Sequence, residues 1–125
     1  MKEKKGSLRR FGMSFVYAFR GIGRSFRAEP NLKIHGAASA LVVVCGAGLH
    51  ISRTEWFVCL ILIALVISLE LMNTALENAV DLVSPEQSRL AEAAKDAAAG
   101  AVLVSASVAA VIGCVIFAPK ILALI

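Results

Sequence analysis

Three long stretches of the chain contain no Lys, Arg, Asp or Glu. They run over residues 34–51, 56–69 and 97–119. A helix needs about 20 apolar residues to cross the roughly 30 Å of bilayer hydrocarbon. The third stretch is long enough, the first is weakened by glycines, and the second suffices only if its helix continues into the polar residues that follow. The pattern predicts three transmembrane helices within a single domain, residues 1–125. The first two are placed at residues 31–51 and 54–80, and the third lies within a longer helix at residues 85–118.

A different pattern precedes the first apolar stretch. Large apolar side chains recur every three or four residues over residues 9–29: Phe11, Phe15, Phe19, Ile22 and Phe26. At about 100° per residue these side chains form one stripe, and Arg9, Arg20, Arg24 and Arg27 lie on the opposite side. The segment therefore predicts a basic amphipathic helix on the membrane surface, after a basic tail at residues 1–8.

Local signals set the predicted helix ends. The residue before a proline avoids the α-helical region, so the surface helix is expected to end near Glu29, with Pro30 in the first turn of the next helix. The third transmembrane helix is expected to start at Ser84 as N-cap, with Pro85 at the first helical position and Gln87 closing a capping box.

Composition and charge support a membrane protein and set its orientation. The chain has 125 residues, of which 58% are hydrophobic and 18% charged, and a soluble domain this short cannot bury so much apolar surface. Nine of the 13 Lys and Arg lie at or before Lys33. By the positive-inside rule, the N-terminus is cytoplasmic and the loop around residues 81–96 lies on the same side. The predicted fold is all-α, with an N-terminal amphipathic surface helix and three transmembrane helices.

The second apolar stretch runs into the polar sequence LELMNTALENAVD, residues 69–81. At about 100° per residue its polar side chains share one helix face: Glu70, Asn73, Thr74, Glu77 and Asp81. If Trp56 marks the outer boundary, Glu70 lies roughly 9 Å inside the hydrocarbon, Glu77 at the inner boundary and Asp81 in water. A carboxylate at the depth of Glu70 costs a few kcal/mol and is a functional candidate.

The stripe suggests chemistry at the membrane surface. Glu70 could take a proton from a hydroxyl at headgroup depth. Glu77 could hold a divalent cation such as Mg²⁺, with Glu29 as a second ligand, because Mg²⁺ is usually bound by one or two carboxylates together with substrate phosphates. Lys95 could offset phosphate charge. The alternative for the stripe is a buried polar seam that joins helices.

Tyr17 interrupts the basic face of the surface helix and projects with Arg10 and Arg24, seven residues away on either side. A basic face with one aromatic ring could hold a nucleotide, with guanidinium groups on phosphate and the ring against the base. The alternative is a membrane anchor, which is common among basic interfacial helices. His35 could reach a lipid headgroup, but it is interpreted as a polar tip at the interface.

Other function classes fit less well. The signatures GxxxxGK[ST], HRD and DFG of soluble kinases are absent from the sequence. A proton- or ion-handling membrane subunit would need one carboxylate near mid-bilayer rather than a stripe leading to the rim. A structural scaffold would not need buried carboxylates, and nothing in the sequence suggests a nucleic-acid partner.

Three blocks of the sequence resemble a known family. Residues 70–81, ELMNTALENAVD, resemble the signature E-x-x-N-[ST]-A-[IL]-E-x-x-[VI]-D of the bacterial integral-membrane diacylglycerol kinase and undecaprenol kinase family. Residues 94–102, AKDAAAGAV, resemble its A-K-D-x-[AG]-[AS]-[AG]-A-V block, and residues 29–35, EPNLKIH, resemble its E-x-N-x-x-x-H segment.

The resemblance implies an ATP-dependent lipid kinase of the bacterial inner membrane. Its active site would face the cytoplasm, and the implied assembly is a homotrimer with sites shared between subunits. By position, Glu70 resembles the general base, and Glu29 and Glu77 resemble the ligands of Mg²⁺. The positions that resemble nucleotide contacts are Arg10, Tyr17, Glu29, Glu77, Glu86, Gln87, Ser88, Lys95 and Asp96. The positions that resemble lipid contacts or supporting polar groups are Glu70, Asn73, Asp81, Asn31 and Lys33.

The family divides by lipid substrate. Diacylglycerol kinases of Gram-negative bacteria often carry an acidic residue where this chain has His35. The stretches at residues 31–35 and 115–120 are more similar to the undecaprenol kinase branch. The resemblance therefore favours undecaprenol as the acceptor, with diacylglycerol as the alternative. The stretch Gln87-Ser88-Arg89 departs from the family's usual H-x-L neighbourhood.

Overall fold

The computed structural model describes residues 2–125, with side chains described from Gly6 onward, as four consecutive helices. They are α1 (Lys2–Ala28), α2 (Pro30–Gly48), α3 (Arg53–Val83) and α4 (Arg89–Leu122). Over this range the structure contains no β-strand. Helices α2, α3 and α4 are long and apolar enough to cross a membrane. The predicted all-helical class, with one N-terminal helix and three spans, is confirmed.

The break between α1 and α2 falls where the proline predicts it. Glu29 is extended, with φ −105° and ψ 112°, and Pro30 is the first residue of α2. The start of α1 differs from the prediction, because the helix begins at Lys2 instead of after a tail at residues 1–8. Lys, Glu and Arg are good helix formers, so the charged segment extends the helix.

The turn between α2 and α3 is tight. Helix α2 ends at Gly48 rather than residue 51, because His50 adopts a left-handed conformation with φ 53°. Ser52 then caps α3 in a capping box with Glu55, and α3 continues unbroken for 31 residues to Val83. At 1.5 Å per residue, this helix is about 46 Å long and exceeds the hydrocarbon thickness.

The predicted start of the last helix is wrong. Ser84 does not cap α4 but ends α3: its N–H donates to the Val80 carbonyl at 2.7 Å, and its hydroxyl donates to the Glu86 carbonyl at 2.9 Å. Ser88 is the N-cap of α4 and accepts from the Ala91 N–H at 3.1 Å. Pro85 and Gln87 therefore lie in the linker, because α3 runs on far enough to use Ser84. Helix α4 also continues past residue 118, with Pro119 inside its last turn.

Helices α3 and α4 pack along each other, and α2 packs on α3. Among the described residues, few apolar side chains are buried: Leu32, Ile51, Cys59 and Val66. Helix α1 meets α2 where the Phe26 ring lies against Gly36, so close that a Cβ there would be 2.9 Å from the ring. Most other large apolar side chains point outward, which suits helices surrounded by lipid or by other helices.

Candidate active site

Among the described residues, three of the four buried polar side chains lie on one face of α3, and the fourth is Ser105 of α4. Glu70 is 2% exposed, Asn73 8% and Thr74 7%, although much of the surrounding apolar surface is exposed. Glu77 continues the same face one turn further and is partly exposed. The structure therefore brings the predicted stripe together as a polar cluster that runs from a buried carboxylate to an accessible one.

Hydrogen bonding within this cluster is incomplete. The Asn73 amide donates to Glu77 Oε1 at 3.2 Å. The Asn73 side-chain oxygen and the Thr74 hydroxyl are buried and have no partner among the residues that the structure describes. Buried polar atoms without a partner are rare in native proteins, because each one costs free energy. The cluster therefore has donor and acceptor capacity left for a group that lies outside this chain.

His35 is the residue that sequence reasoning missed. Its Nε2 lies 3.7 Å from Glu70 Oε2, with the His35 side chain 22% exposed and the Glu70 side chain 3% exposed. The ring thus faces the Glu70 carboxylate of α3, a contact that the interpretation of His35 as an interfacial tip does not include. The spacing of three and four residues that links Leu32, His35 and Ser39 could have indicated that His35 lies on the packed face of α2.

An apolar cavity of about 510 Å³ opens between α2, α3 and α4, with His35 among its lining residues. Other parts of its wall are Val42, Val66, Ala110 and Phe117. The cavity extends along the three helices to Ile121, near the far end of α4. Because Glu70 contacts His35, the buried carboxylate lies beside the polar part of an otherwise apolar cavity.

The Lys95 side chain lies at the rim of the cluster, that is, at its exposed end near Glu77 and Asp81. Lys95 of α4 forms a hydrogen-bonded ion pair with Asp81 of α3, and both side chains are partly exposed. Lys95 precedes the apolar run of α4, so it lies outside the membrane-spanning part. The hydrogen bond to Asp81, assisted by the charges of Asp81 and Glu77, raises the pKa of Lys95. Lys95 is therefore a positive charge close to the carboxylates of Asp81 and Glu77.

The predicted nucleotide face of α1 forms a shallow recess. Arg9, Arg10, Ser14 and Tyr17 share its lining, so Arg10 and Tyr17 do lie together. The Arg20 guanidinium carbon lies 5.8 Å from the centroid of the Tyr17 ring, within the range of a cation–π interaction. The recess therefore combines guanidinium groups with one exposed aromatic ring.

The remaining predicted residues are not assembled with the cluster. Glu29 is half-buried and its side chain makes no capping hydrogen bond to α2. The Ser88 hydroxyl is already engaged as the cap of α4. The others are exposed on the linker, on the first turns of α4 or on α2: Glu86, Gln87, Asp96, Asn31 and Lys33.

Over residues 6–125, whose side chains the structure describes, no group of three His, Cys, Asp or Glu side chains is arranged to hold a metal. Mg²⁺ needs no such cluster when substrate phosphates complete its coordination. Glu77 fits this role, because its carboxylate is accessible at the rim and is oriented by the Asn73 amide.

Comparison with known proteins supports one family. The model of the prokaryotic diacylglycerol kinase family matches residues 16–117. The undecaprenol kinase of Bacillus subtilis is 47% identical over 119 residues, which cover 95% of this chain and 97% of that protein. The diacylglycerol kinase of Synechocystis is 39% identical over 90% of this chain and 65% of that protein. The diacylglycerol kinase of Escherichia coli is 28% identical over 80% of this chain and 82% of that protein.

The family match covers most of the chain and includes α2, α3 and all but the end of the apolar run of α4. It contains the buried carboxylate of α3, the histidine that faces it and the rim lysine of α4. Together with three helices able to span a membrane, this match shows that the chain is a multi-pass membrane protein of the prokaryotic diacylglycerol kinase family.

Proposed function

We propose that this lipid kinase transfers the γ-phosphate of ATP to the hydroxyl of undecaprenol, with diacylglycerol as the alternative acceptor. The observation that carries the proposal is the buried Glu70 carboxylate, which lies beside an apolar cavity and on the same helix face as the accessible Glu77. The lipid requires an apolar environment and the phosphate an accessible, polar one. The lipid hydroxyl and the phosphate could therefore meet only where these two environments adjoin. The greater identity to the relative named undecaprenol kinase favours undecaprenol over diacylglycerol.

In the proposed reaction, Glu70 is the general base. It takes the proton of the lipid hydroxyl as the hydroxyl oxygen attacks the γ-phosphorus. The bond from the γ-phosphorus to the bridging oxygen of the β-phosphate breaks, and ADP leaves with that oxygen. Removal of the hydroxyl proton by a positioned side chain is worth about 10²- to 10⁴-fold in rate.

Charged groups at the rim would hold the nucleotide. Lys95, which pairs with Asp81, would neutralise phosphate charge. Arg10 and Tyr17 would bind phosphate and base in the recess of α1. Glu77 and Glu29 would hold Mg²⁺, which when bound would neutralise charge on the β- and γ-phosphates.

The proposed assembly is a homotrimer in the bacterial inner membrane, with active sites shared between subunits. The buried oxygens of Asn73 and Thr74 that have no partner among the described residues support the idea that another copy or the lipid completes the site. Glu29, which is not assembled with Glu77 in one chain, could then contribute from a neighbour. The concentration of Lys and Arg in the first 33 residues supports a cytoplasmic active site.

A transfer assay with labelled ATP tests the proposal. Purified protein in detergent micelles is supplied with undecaprenol or diacylglycerol at equal surface concentration. We expect faster transfer to undecaprenol, and we expect Glu70→Gln to lower transfer by at least about 10²-fold while Mg-ATP binding is kept.

Two outcomes of this assay would contradict parts of the proposal. Faster transfer to diacylglycerol would make that lipid the acceptor. Wild-type turnover in Glu70→Gln would remove Glu70 from the role of base.

A further inference from the structure

The Glu70 carboxylate is paired with one basic side chain among the described residues, His35 of the neighbouring helix α2. The two side chains approach to 3.7 Å between His35 Nε2 and Glu70 Oε2. This separation is longer than a hydrogen bond. Catalytic hydrogen bonds are often long in the absence of substrate and shorten in the reacting complex. The geometry thus brings the ring close to the carboxylate before any lipid is bound.

A carboxylate that acts as a base must be ionised, yet burial in an apolar environment disfavours its charged form. A neighbouring cation or hydrogen-bond donor favours the charged form. In this structure Glu70 is almost completely buried, and its helix neighbours include the apolar Val66. An imidazole N–H directed at one carboxylate oxygen would stabilise the ionised form and would leave the second oxygen for the substrate.

We propose that His35 is a positioning residue that acts through Glu70, which deepens the proposed function and rests on it. The His35 Nε2–H donates to Glu70 Oε2 in the reacting complex and orients the other carboxylate oxygen toward the lipid hydroxyl. The hydroxyl proton goes to Glu70 and His35 keeps its own proton. Because His35 also lines the apolar cavity, it holds the base at the point where the lipid chain would enter.

Few other titratable groups face this pair. Cys59 of α3 and Cys114 of α4 line the same cavity, and Glu77 lies two turns along α3. Helix α1 meets α2 through the uncharged contact of Phe26 with Gly36. Among the described residues, His35 is therefore the basic side chain placed beside the Glu70 carboxylate.

The experiment compares His35→Ala and His35→Gln with the wild type in the lipid transfer assay over a range of pH. We expect His35→Ala to lower kcat by about 10- to 100-fold, as removal of a partner that orients a catalytic ligand does elsewhere. The acid limb of its kcat–pH profile should move, and KM for ATP should stay unchanged. His35→Gln should recover part of kcat, because its amide donates a hydrogen bond, but its acid limb should differ from that of the wild type.

The matched control is His50→Asn, which removes the other histidine of the chain. His50 lies in the turn after α2 with φ 53°, a conformation that asparagine tolerates. This variant should keep the wild-type kcat and pH profile. If circular dichroism shows that His35→Ala is poorly folded, His35→Gln is used for the test, because glutamine fills a similar volume and keeps a hydrogen-bond donor.

A wild-type kcat and acid limb in both His35 variants would overturn the positioning role. A rise in KM for lipid alone, with kcat and pH profile unchanged, would overturn it too and would make His35 a lipid contact. Neither outcome affects the role of Glu70. By contrast, a wild-type protein that phosphorylates neither lipid would reject the proposed function itself.

Discussion

The two ends of helix α3 differ in how completely their polar groups are hydrogen-bonded. At the Trp56 end (residues 46–56 and 118–122), the Ser52 hydroxyl and the Glu55 carboxylate cap each other's backbone N–H groups, at 3.1 and 3.0 Å. Glu55 also accepts from Lys120 of α4 at 3.0 Å. At the Asp81 end (residues 70–96), Asn73 and Thr74 keep buried oxygens without a partner among the described residues.

Packing differs between the two ends as well. At the Trp56 end the indole ring lies directly on Gly46, and Ile51 is buried beside it. At the Asp81 end the most buried side chains are polar, and the nearest basic group to Glu70 stops short of a hydrogen bond. A region that only has to be stable can satisfy all its groups internally. A region that binds substrates must keep hydrogen-bond donors and acceptors free for them, because a group that is already paired within the protein cannot also bind a substrate well.

The contrast between the two ends of α3 is tested most strongly by a substitution of Glu77. We expect Glu77→Gln to weaken the dependence of transfer on Mg²⁺ by about 10- to 100-fold, because a neutral amide is a poorer ligand for a divalent cation. The measurement is the transfer rate as a function of Mg²⁺ concentration.

The control for this prediction is the same substitution at the other end, Glu55→Gln. It removes a carboxylate that caps α3 and pairs with Lys120, and it should leave the metal titration unchanged. An unchanged titration in Glu77→Gln would reject Glu77 as a metal ligand.

The packing of the Trp56 end is tested by Gly46→Ala. A Cβ at this position would lie 2.9 Å from Trp56 Cη2 and 3.0 Å from Ile51 Cδ1. We expect the free energy of unfolding to fall by about 1–3 kcal/mol, the usual effect of overpacking, while the folded fraction keeps its transfer rate. Thermal denaturation in detergent measures the change.

Gly48→Ala is the matched control, because nothing lies within 4 Å of a Cβ at Gly48. Its melting temperature should equal or exceed that of the wild type, since alanine favours a helix over glycine. Equal melting temperatures for Gly46→Ala and Gly48→Ala would show that the Trp56 contact is not tight.

The smallest effect is expected at the recess of α1. Arg10→Ala and Tyr17→Ala should each raise KM for ATP by about five- to tenfold, because a hydrogen bond to phosphate or the stacking of a base in an exposed recess is worth about 1 kcal/mol and 1.4 kcal/mol is tenfold in affinity. KM for lipid should change less. Steady-state kinetics with one substrate varied at a time provides the comparison.

Phe19→Ala serves as the control, because Phe19 is an exposed aromatic residue on the opposite, apolar side of α1. It should leave KM for ATP unchanged. If Arg10→Ala and Tyr17→Ala instead raise KM for lipid more than KM for ATP, the recess is a membrane anchor.

Much of the fold follows from local signals. The apolar stretches predicted three spans, the repeated aromatic residues predicted α1, and Pro30 predicted the break before α2, because each of these features lies within one continuous segment of the chain. The start of α4 was predicted wrongly, since Ser84 and Ser88 are both competent caps. The choice between them depends on how far α3 extends.

The candidate site also has features that the sequence predicts and features that only the structure shows. The placement of Glu70, Asn73, Thr74 and Glu77 on one face is a property of helix periodicity, so the sequence alone determined it. The family match also follows from the sequence alone, because it depends on residue types and spacing. Only the tertiary structure decided that His35 faces Glu70, that Lys95 pairs with Asp81 and that Gly46 receives the Trp56 ring. Each of these contacts joins two helices, and their register depends on the packing of whole faces, which no local spacing specifies.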